Sequence, residues 1–427
     1  MTEKVNVPQL RFCEFEGEWK EVDISSLGKV VTGSTPPTSD PSNYLGDRLF
    51  ISPADLDGRK YISSTKTTLS QRGFDTGRLL PSGSVCFVCI GSTIGKVAIN
   101  SEDAISNQQI NAIVVNHKKY DSDFVYSRLV KDSPRIKLLA GEQAVPILNK
   151  SSFGKVKVFT PPLHEQQKIA SFLSKVDEKI ALLTEKAAKL KEYKKGVMQQ
   201  LFDGKWQEQD GKLVFVPPTL RFKADDGSEF PDWETVTIEK VAKLGKGFTP
   251  STHDPKNWNG GLPWLSIADL NQFNSTKLTS RTLSQEGAGK KAIVKAGTLI
   301  MSFKLTLGRL IILQHDAYTN EAICHFYWVD GRVNTKFAFY YLSSINISSF
   351  GSQAAKGITL NNDSLYSIVL KLPFIDEQVQ IANCLSAIDQ KIELASSELE
   401  KVKEWKKRLT STNVRLIGLK NNKNKET

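Results

Sequence analysis

The chain has few cysteines, no long apolar run and no apolar leader at its start. Five cysteines, an odd number spread over 427 residues, argue against a disulfide framework and predict a reducing compartment. The longest apolar runs, such as Leu310-Ile311-Ile312-Leu313, are far too short to cross a bilayer. The residues after Met1 do not resemble a signal peptide. We therefore expect a cytoplasmic protein without a membrane span.

The sequence also lacks the usual catalytic signatures. Residues 91–96 resemble a phosphate-binding loop, but three residues rather than four separate Gly91 from Gly95, and Val97 stands where Ser or Thr is needed. Cys86 and Cys89 have metal or redox spacing, but no second pair follows, and their stretch is typical of a buried strand. No adenine-methylation motif of the Asn-Pro-Pro-aromatic type occurs. The sequence predicts no catalytic residue, no metal site and no cofactor in this chain. Any catalysis in which the chain takes part therefore has to come from partners.

What the chain does contain is an internal duplication. Short motifs recur at an offset that drifts between 210 and 217 residues, about half of the 427. This offset is far longer than the roughly 20–50 residues of solenoid repeats, so it predicts two similar domains. The recurring pairs include Leu10-Arg11-Phe12 with Leu220-Arg221-Phe222, Trp19 with Trp233, Ser52, Ala54 and Asp55 with Ser266, Ala268 and Asp269, and residues 161–180 with residues 373–392.

Positive charge is concentrated in the same part of each repeat. The formal net charge is +11. Residues 240–309 hold eleven Lys and Arg against three Asp and Glu, and residues 48–100 hold seven against three. A solvated basic face is the simpler interpretation. Two matched basic regions in a duplicated chain nevertheless favour the binding of a polyanion.

Each repeat begins with a strand-rich module. Residues 84–90, 96–99 and 110–115 are apolar, rich in β-branched side chains and punctuated by glycine, which is typical of strands. Residues 297–301 and 309–312 match them in the second repeat. Helices are predicted over residues 124–130 and 337–342. The expected fold class is α+β, with two similar strand-rich globular domains.

Each repeat ends with a predicted long helix that follows one or two prolines. Apolar residues recur there at alternating steps of four and three, the heptad pattern of a coiled coil. These positions form what we term the apolar seam. Its members are Ile169, Leu173, Val176, Ile180, Leu183, Leu190 and Val197 in the first helix, and Ile381, Leu385, Ile388, Ile392, Leu399, Val402 and Leu409 in the second.

Two seams of the same phase in one chain should pack on each other. Antiparallel packing fits the connectivity, because a parallel pair would need residues 203–375 to return along the whole coil. Lys194 and Lys406 interrupt the seams at equivalent positions. Each is either a snorkelling lysine near a fraying helix end, a device that sets helix register, or a contact to a partner.

The length of the first helix suggests a spacer. Residues 165–202 would span roughly 57 Å as a helix, and one turn of B-DNA is about 34–36 Å. Most heptad seams only hold proteins together, but that role does not explain two basic modules kept rigidly apart. The combination favours a protein that reads DNA at two separated points.

An ordered set of motifs occurs twice. It consists of Trp19 with Leu27-Gly28 and Trp233 with Leu244-Gly245, then Gly33-Ser34-Thr35-Pro36 and Gly247-Phe248-Thr249-Pro250, then Gly95-Lys96 and Gly308-Arg309, and finally Leu148-Asn149 with Glu165-Gln166 and Leu360-Asn361 with Glu377-Gln378. Over nearly the whole chain this set resembles the specificity subunits of type I restriction-modification enzymes. Val379, at the place of Gln167, is a mild departure.

The resemblance implies a non-catalytic subunit of a methyltransferase and endonuclease complex. Each module would be a target recognition domain that reads one half of a split DNA site. The two helices would form an antiparallel spacer that docks the modification subunits. Two modification subunits would carry S-adenosylmethionine and methylate adenine, while separate restriction subunits would use ATP and Mg to cleave.

The expected domain boundaries follow the repeats. Residues 1–162 form the first target recognition domain, 163–203 the first spacer helix, 204–374 the second target recognition domain, 375–414 the second spacer helix and 415–427 a basic flexible tail. A coiled-coil scaffold whose duplicated modules bind protein is the alternative function. A self-sufficient methyltransferase is disfavoured by the missing motifs.

Candidate DNA-binding residues fall into two sets, because phosphate contacts supply affinity and base-edge contacts supply sequence preference. For phosphate we select Arg59, Lys60, Lys66, Arg72, Arg78 and Lys96, and Lys256, Lys277, Arg281, Lys290, Lys291, Lys304 and Arg309. For bases we select Ser34, Thr35, Ser92, Thr93, Asn107 and Gln108, and Thr249, Lys304 and Asn320. Solvated lysines, turns and helix caps are the alternatives. Because Asn107-Gln108-Gln109 corresponds to Asn320-Glu321-Ala322, we expect an asymmetric target.

Overall fold

A computed structural model describes residues 11–141, 146–209, 212–216, 218, 220–271, 279–304, 306–354 and 357–411. It divides into two compact units, the first of residues 1–184 and 397–427 and the second of residues 185–396. Each of the two long helices therefore supplies residues to both units. No helix within the described ranges is long and apolar enough to span a membrane.

The first unit is strand-rich. Its strands are β1 (Lys20–Asp23), β2 (Gly28–Thr32), β3 (Tyr44–Ile51), β4 (Tyr61–Ile62), β5 (Thr67–Leu69), β6 (Val85–Val88), β7 (Val97–Asn100), β8 (Ala104–Ser106), β9 (Ile110–Val115) and β10 (Lys157–Thr160). Its helices are α1 (Ile24–Leu27), α2 (Gln71–Asp75), α3 (Ser122–Leu138), α4 (Lys150–Gly154) and the start of α5 (Leu163–Phe202). The sheets have the orders β2-β9-β6-β7-β4, β5-β3-β8 and β1-β10.

The central strand β6 is buried on both faces. Val85 and Phe87 belong to one core cluster, whereas Cys86 and Val88 belong to another. Side chains alternate between the two faces of a strand, so a strand between two clusters is apolar throughout. This arrangement explains the continuous apolar run that predicted a buried strand here. Burial also raises the pKa of the Cys86 thiol to about 12.

The second unit repeats this architecture with additions. Its strands are β11 (Lys205–Gln209), β12 (Lys212–Val216), β13 (Glu234–Thr237), β14 (Ala242–Lys246), β15 (Trp258–Leu265), β16 (Arg281–Leu283), β17 (Leu299–Ser302), β18 (Leu310–Ile312), β19 (Tyr318–Thr319), β20 (Ile323–Trp328), β21 (Ser352–Ala354), β22 (Gly357–Thr359) and β23 (Val369–Leu372). Its helices are α6 (Ile238–Val241), α7 (Gln285–Ala288), α8 (Thr335–Ser344), α9 (Asn362–Tyr366) and the start of α10 (Ile375–Ser411). The larger sheets have the orders β14-β20-β17-β18 and β16-β15-β19.

The predicted α+β class is confirmed, and the main differences lie at element ends. Strand β9 spans the predicted residues 110–115. Helix α3 extends to both sides of the predicted residues 124–130. It begins after Asp121, whose carboxylate accepts a hydrogen bond of 2.9 Å from the Phe124 amide. Such polar caps lie outside the apolar stretch on which the prediction was based.

In the first unit, the end of α10 packs against the start of α5. The rings of Phe172 and Trp405 meet edge to face at 5.8 Å, and Lys179 Nζ lies 2.9 Å from a carboxylate oxygen of Glu398. Because residue numbers rise along one helix and fall along the other, these segments run antiparallel, as predicted. Lys406 donates to the carboxylate of Asp177 across the same pair.

In the second unit, Lys194 makes the matching contact. Its ammonium lies 2.7 and 2.8 Å from the two carboxylate oxygens of Asp389 and 5.0 Å from the centre of the Tyr340 ring. Every residue of the predicted seam is buried or half-buried. Each interrupting lysine therefore pairs with an aspartate of the opposite helix, which favours the interpretation that these lysines set the register.

Candidate functional site

A buried glutamate fixes each long helix to the strand-rich module before it. Glu165 is fully buried and accepts from Arg11 Nε and Nη2 at 2.8 and 2.7 Å and from Trp19 Nε1 at 3.2 Å. Its neighbour Gln166 accepts from the Asp121 amide and donates to the Pro161 carbonyl. The repeated Glu-Gln motif is therefore a structural joint in the first unit.

The second unit has the same joint. Glu377 accepts from Arg221 at 2.6 and 2.8 Å and from Trp233 Nε1 at 3.2 Å. Gln378 accepts from the Asn334 amide at 2.9 Å and donates to the Pro373 carbonyl. The recurrence of Arg, Trp, Glu and Gln in the sequence thus reflects one repeated network rather than four separate motifs.

The repeated Ser-Ala-Asp motif also proves to be structural. Asp55 accepts from the Ser52 amide and hydroxyl, and its other oxygen accepts from the Lys66 amide. Asp269 accepts from Ser266 and Ser280 in the same way. Burial raises the pKa of Asp269, but these hydrogen bonds outweigh it and keep the pKa below the ordinary value. In both units, the motif holds a loop in place.

A glycine brings two candidate residues together in the first unit. A Cβ at Gly33 would collide with the carbonyl oxygens of residues 106 and 107, so only glycine permits this close approach. The result is that Thr35 donates to Gln108 Oε1 at 2.5 Å, on an exposed surface. The hydroxyls of Ser34 and Ser106 lie beside this point, buried and without a hydrogen-bond partner among the described residues.

The second unit places a different pair at the same point. A Cβ at Gly247 would collide with the carbonyl oxygens of residues 319 and 320, and Thr249 donates to the carboxylate of Glu321. This hydrogen bond lowers the pKa of Glu321, and the positive charge of Lys304 lowers it further. The first unit therefore presents an amide where the second presents a carboxylate.

Two basic side chains occupy equivalent places in the two units. Lys96 follows Gly95 and approaches the Pro53 carbonyl at 3.5 Å, and Arg309 follows Gly308 and approaches the Ile267 carbonyl at the same distance. Arg78 donates at 2.8 Å to the Thr32 carbonyl. Three of the predicted phosphate-binding side chains therefore contact backbone carbonyls of their own modules.

The other predicted cations of the first unit differ in availability. Arg59 and Arg72 are exposed and pair with Asp57 and Asp40, and Lys66 is exposed. Lys60 is only 14% exposed, and its ammonium contacts Asp123 and the Ser174 hydroxyl. Lys60 therefore joins the module to helix α5, a role that the sequence did not reveal because its partners are remote in the chain.

In the second unit the predicted cations lie mostly on the surface. Lys291 and Lys304 lie over the Phe248 and Phe303 rings at 5.7 and 5.5 Å. Arg281 lies over the Trp258 ring at 3.6 Å. Lys256 and Lys290 are exposed, whereas Lys277 lies outside the described residues.

The remaining polar candidates are partly engaged in turns. Asn107 accepts from the Gln109 amide, and Asn320 accepts from the Ala322 amide. Ser92 is exposed and Thr93 is half-buried.

Sequence reasoning missed Arg48, which lies over the Phe74 ring and donates to Gln71 at 2.8 Å. Its position at the start of the basic stretch of residues 48–100 was the available signal.

The comparison with protein families gives one match in each half of the chain. A family model described as the type I restriction modification DNA specificity domain matches residues 16–192 and 231–404. Each matched segment contains a strand-rich module and most of the helix that follows it. The two matches thus follow the internal duplication.

Individual proteins agree with this result over most of their length. The chain is 30% identical to the putative type I restriction enzyme MjaX specificity subunit of Methanocaldococcus jannaschii, over 95% of this chain and 94% of that one. It is 24% identical to the MjaVIII specificity subunit of the same organism, with the same coverage. The crystal structure of a type I restriction-modification S subunit from M. genitalium has the same fold, with a TM-score of 0.57, 13% identity and coverage of 96% and 100%.

Proposed function

The chain belongs to the type I restriction modification DNA specificity family, and from that premise we propose that it is the non-catalytic specificity subunit of a type I complex. The first unit reads one part of a split DNA site and the second unit reads the other part. Helices α5 and α10 dock the adenine methyltransferase subunits. Those partners supply S-adenosylmethionine, and separate restriction subunits supply the ATP- and Mg-dependent cleavage.

The observation that carries this proposal is a pair of matched positions with different chemistry. Thr35 meets Gln108 in the first unit, and Thr249 meets Glu321 in the second. An amide can both donate to and accept from a base edge, whereas a carboxylate only accepts, for example from the cytosine amino group. Equal scaffolds with unequal side chains fit two half-sites of different sequence.

The distribution of cations supports binding to a phosphate backbone. Exposed lysines and arginines occur in each unit, among them Lys66 and Arg72 in the first and Lys256 and Lys290 in the second. Neutralising phosphates in this way releases counterions, so affinity should fall steeply with salt. A protein-binding module would not require that dependence.

Sequencing the modified bases of a host that expresses the chain with its partner subunits tests the proposal. We expect one asymmetric motif, with two specified parts separated by a tolerant gap. Exchanging residues 234–372 for those of a relative should change one part of the motif and leave the other intact. A continuous motif would contradict the proposal. Failure of the assembled complex to bind DNA at low ionic strength would favour the alternative, a coiled-coil scaffold for protein ligands.

A further inference from the structure

Arg281 differs from the other arginines of the second unit in its hydrogen bonding. Of the four arginines in this unit, Arg221, Arg309 and Arg332 all direct guanidinium N–H groups to oxygen atoms of the protein. Among the described residues, Arg281 has no such acceptor, and its side chain is exposed. Its guanidinium donors are therefore available to a ligand.

The guanidinium of Arg281 is nevertheless held in place. It lies 3.6 Å from the centre of the Trp258 ring and 5.9 Å from that of Trp264. At the first of these distances the guanidinium is in van der Waals contact with the ring, and cation–π attraction strengthens the contact. Arg281 also pairs with Trp264 in the β15–β16 ladder, which fixes its backbone.

The aromatic platform beneath Arg281 is itself rigid. The two tryptophan rings meet edge to face at 5.1 Å, and both are more than nine-tenths buried. The indole N–H groups of Trp258 and Trp264 donate to the carbonyls of Ser251 and Phe248 at 3.1 and 2.9 Å. The next residue after Phe248 is Thr249, so the platform adjoins the Thr249–Glu321 pair.

The first unit keeps this scaffold but not the arginine. Strands β3 and β5 pair Phe50 with Thr67, as β15 and β16 pair Trp264 with Arg281. Tyr44 occupies the place of Trp258, and its hydroxyl donates to the Pro36 carbonyl. At this place in the scaffold, the second unit therefore has an arginine over an aromatic ring and the first unit has Thr67.

Resting on the proposed function, we propose that Arg281 reads a guanine in the half-site bound by the second unit. An immobilised guanidinium with unused N–H groups matches the O6 and N7 acceptors of guanine in the major groove, the commonest specific contact of arginine with DNA. Flexible lysines suffice for phosphate, and Lys256 and Lys290 lie exposed in the same unit. An orientation fixed by two tryptophans is needed for base reading and not for charge neutralisation.

The test is binding of the complete complex, with its partner subunits, to a DNA library randomised in both half-sites. For Arg281→Lys, which keeps the charge but loses the planar fork, we expect discrimination at one guanine to fall about 10-fold or more. Discrimination in the first half-site should not change. Arg281→Thr, with the residue found at the equivalent place of the first unit, should have the same effect.

The matched control is Arg332→Lys, because the guanidinium of Arg332 is already paired with the carboxylates of Asp330 and Glu234. This variant should alter no base preference. Equal weakening of all sequences by Arg281→Lys or Arg281→Thr would overturn the proposal and identify a phosphate contact instead. Unchanged discrimination, or a second half-site without guanine on either strand, would also overturn it. If the wild-type complex discriminated among sequences at neither half-site, that result would count against the proposed function itself. The two failures are therefore distinguishable.

Discussion

Leu45 has a backbone conformation that few L-residues adopt. Its φ is 61°, and its side chain is 93% exposed. The equivalent residue of the second unit, Asn259, has a φ of 64°. Because the left-handed region costs most L-residues about 1–2 kcal/mol and asparagine less, Leu45→Asn should raise the free energy of unfolding by about 1 kcal/mol. Chemical denaturation measures this change. Leu79→Asn, a control at a half-exposed leucine without a positive φ, should give no gain.

His325 should make stability depend on pH. Burial lowers the pKa of its imidazole to about 4, and the Thr319 hydroxyl lies 2.7 Å from Nε2. Since the ordinary value is 6.5, the unfolded chain binds the extra proton first as the pH falls. This contribution is fully present above about pH 6.5 and is lost as the pH falls toward 4, by about 3 kcal/mol. Between pH 7 and pH 4, the free energy of unfolding of the wild type should fall by that amount more than the free energy of unfolding of His325→Gln. An equal fall in the two proteins would contradict the expectation.

At the scale of elements, patterns local in sequence were predictable and contacts distant in sequence were not. The seam residues and strand β9 follow from periodicity, which needs only neighbouring residues. The partners of Glu165 could not be derived, because Arg11 lies 154 residues away and only folding brings the two together. For the same reason, the sequence suggested phosphate contact for Lys60, although the structure engages its ammonium with Ser174 of helix α5.

The joint at the start of α5 should be one of the strongest single contributors to the first unit. Glu165→Ala leaves the guanidinium of Arg11, 9% exposed, without its carboxylate partner, and the Trp19 N–H without its acceptor. Removing one partner of a buried ion pair costs about 3–5 kcal/mol. Glu178→Ala, at an exposed position of the same helix, should change the free energy of unfolding by no more than about 0.5 kcal/mol. Denaturant titration of both variants checks this, and a small loss for Glu165→Ala would show that the joint is dispensable.

At the scale of the whole molecule, the proposed function predicts that the helices set the gap in the DNA target. Inserting one heptad after Thr184 and another after Ser396, where the two units divide, adds seven residues to each helix and preserves the apolar seam. At about 1.5 Å per residue the added length corresponds to roughly three base pairs. The modified motif should keep both specified parts and gain about that many unspecified positions. An unchanged gap in the sequenced methylation motif would refute a spacer role.

The composition of the two units has a consequence for biosynthesis. The first unit includes residues 397–411, and Trp405 and Lys406 there contact Phe172 and Asp177. A ribosome adds about 5–20 residues per second, so the earliest domain to emerge waits for tens of seconds before its last helical segment exists. During that interval, the apolar seam of the nascent α5 lacks the segment of α10 that packs on it in the folded first unit. A chaperone or early assembly with another subunit would protect the seam.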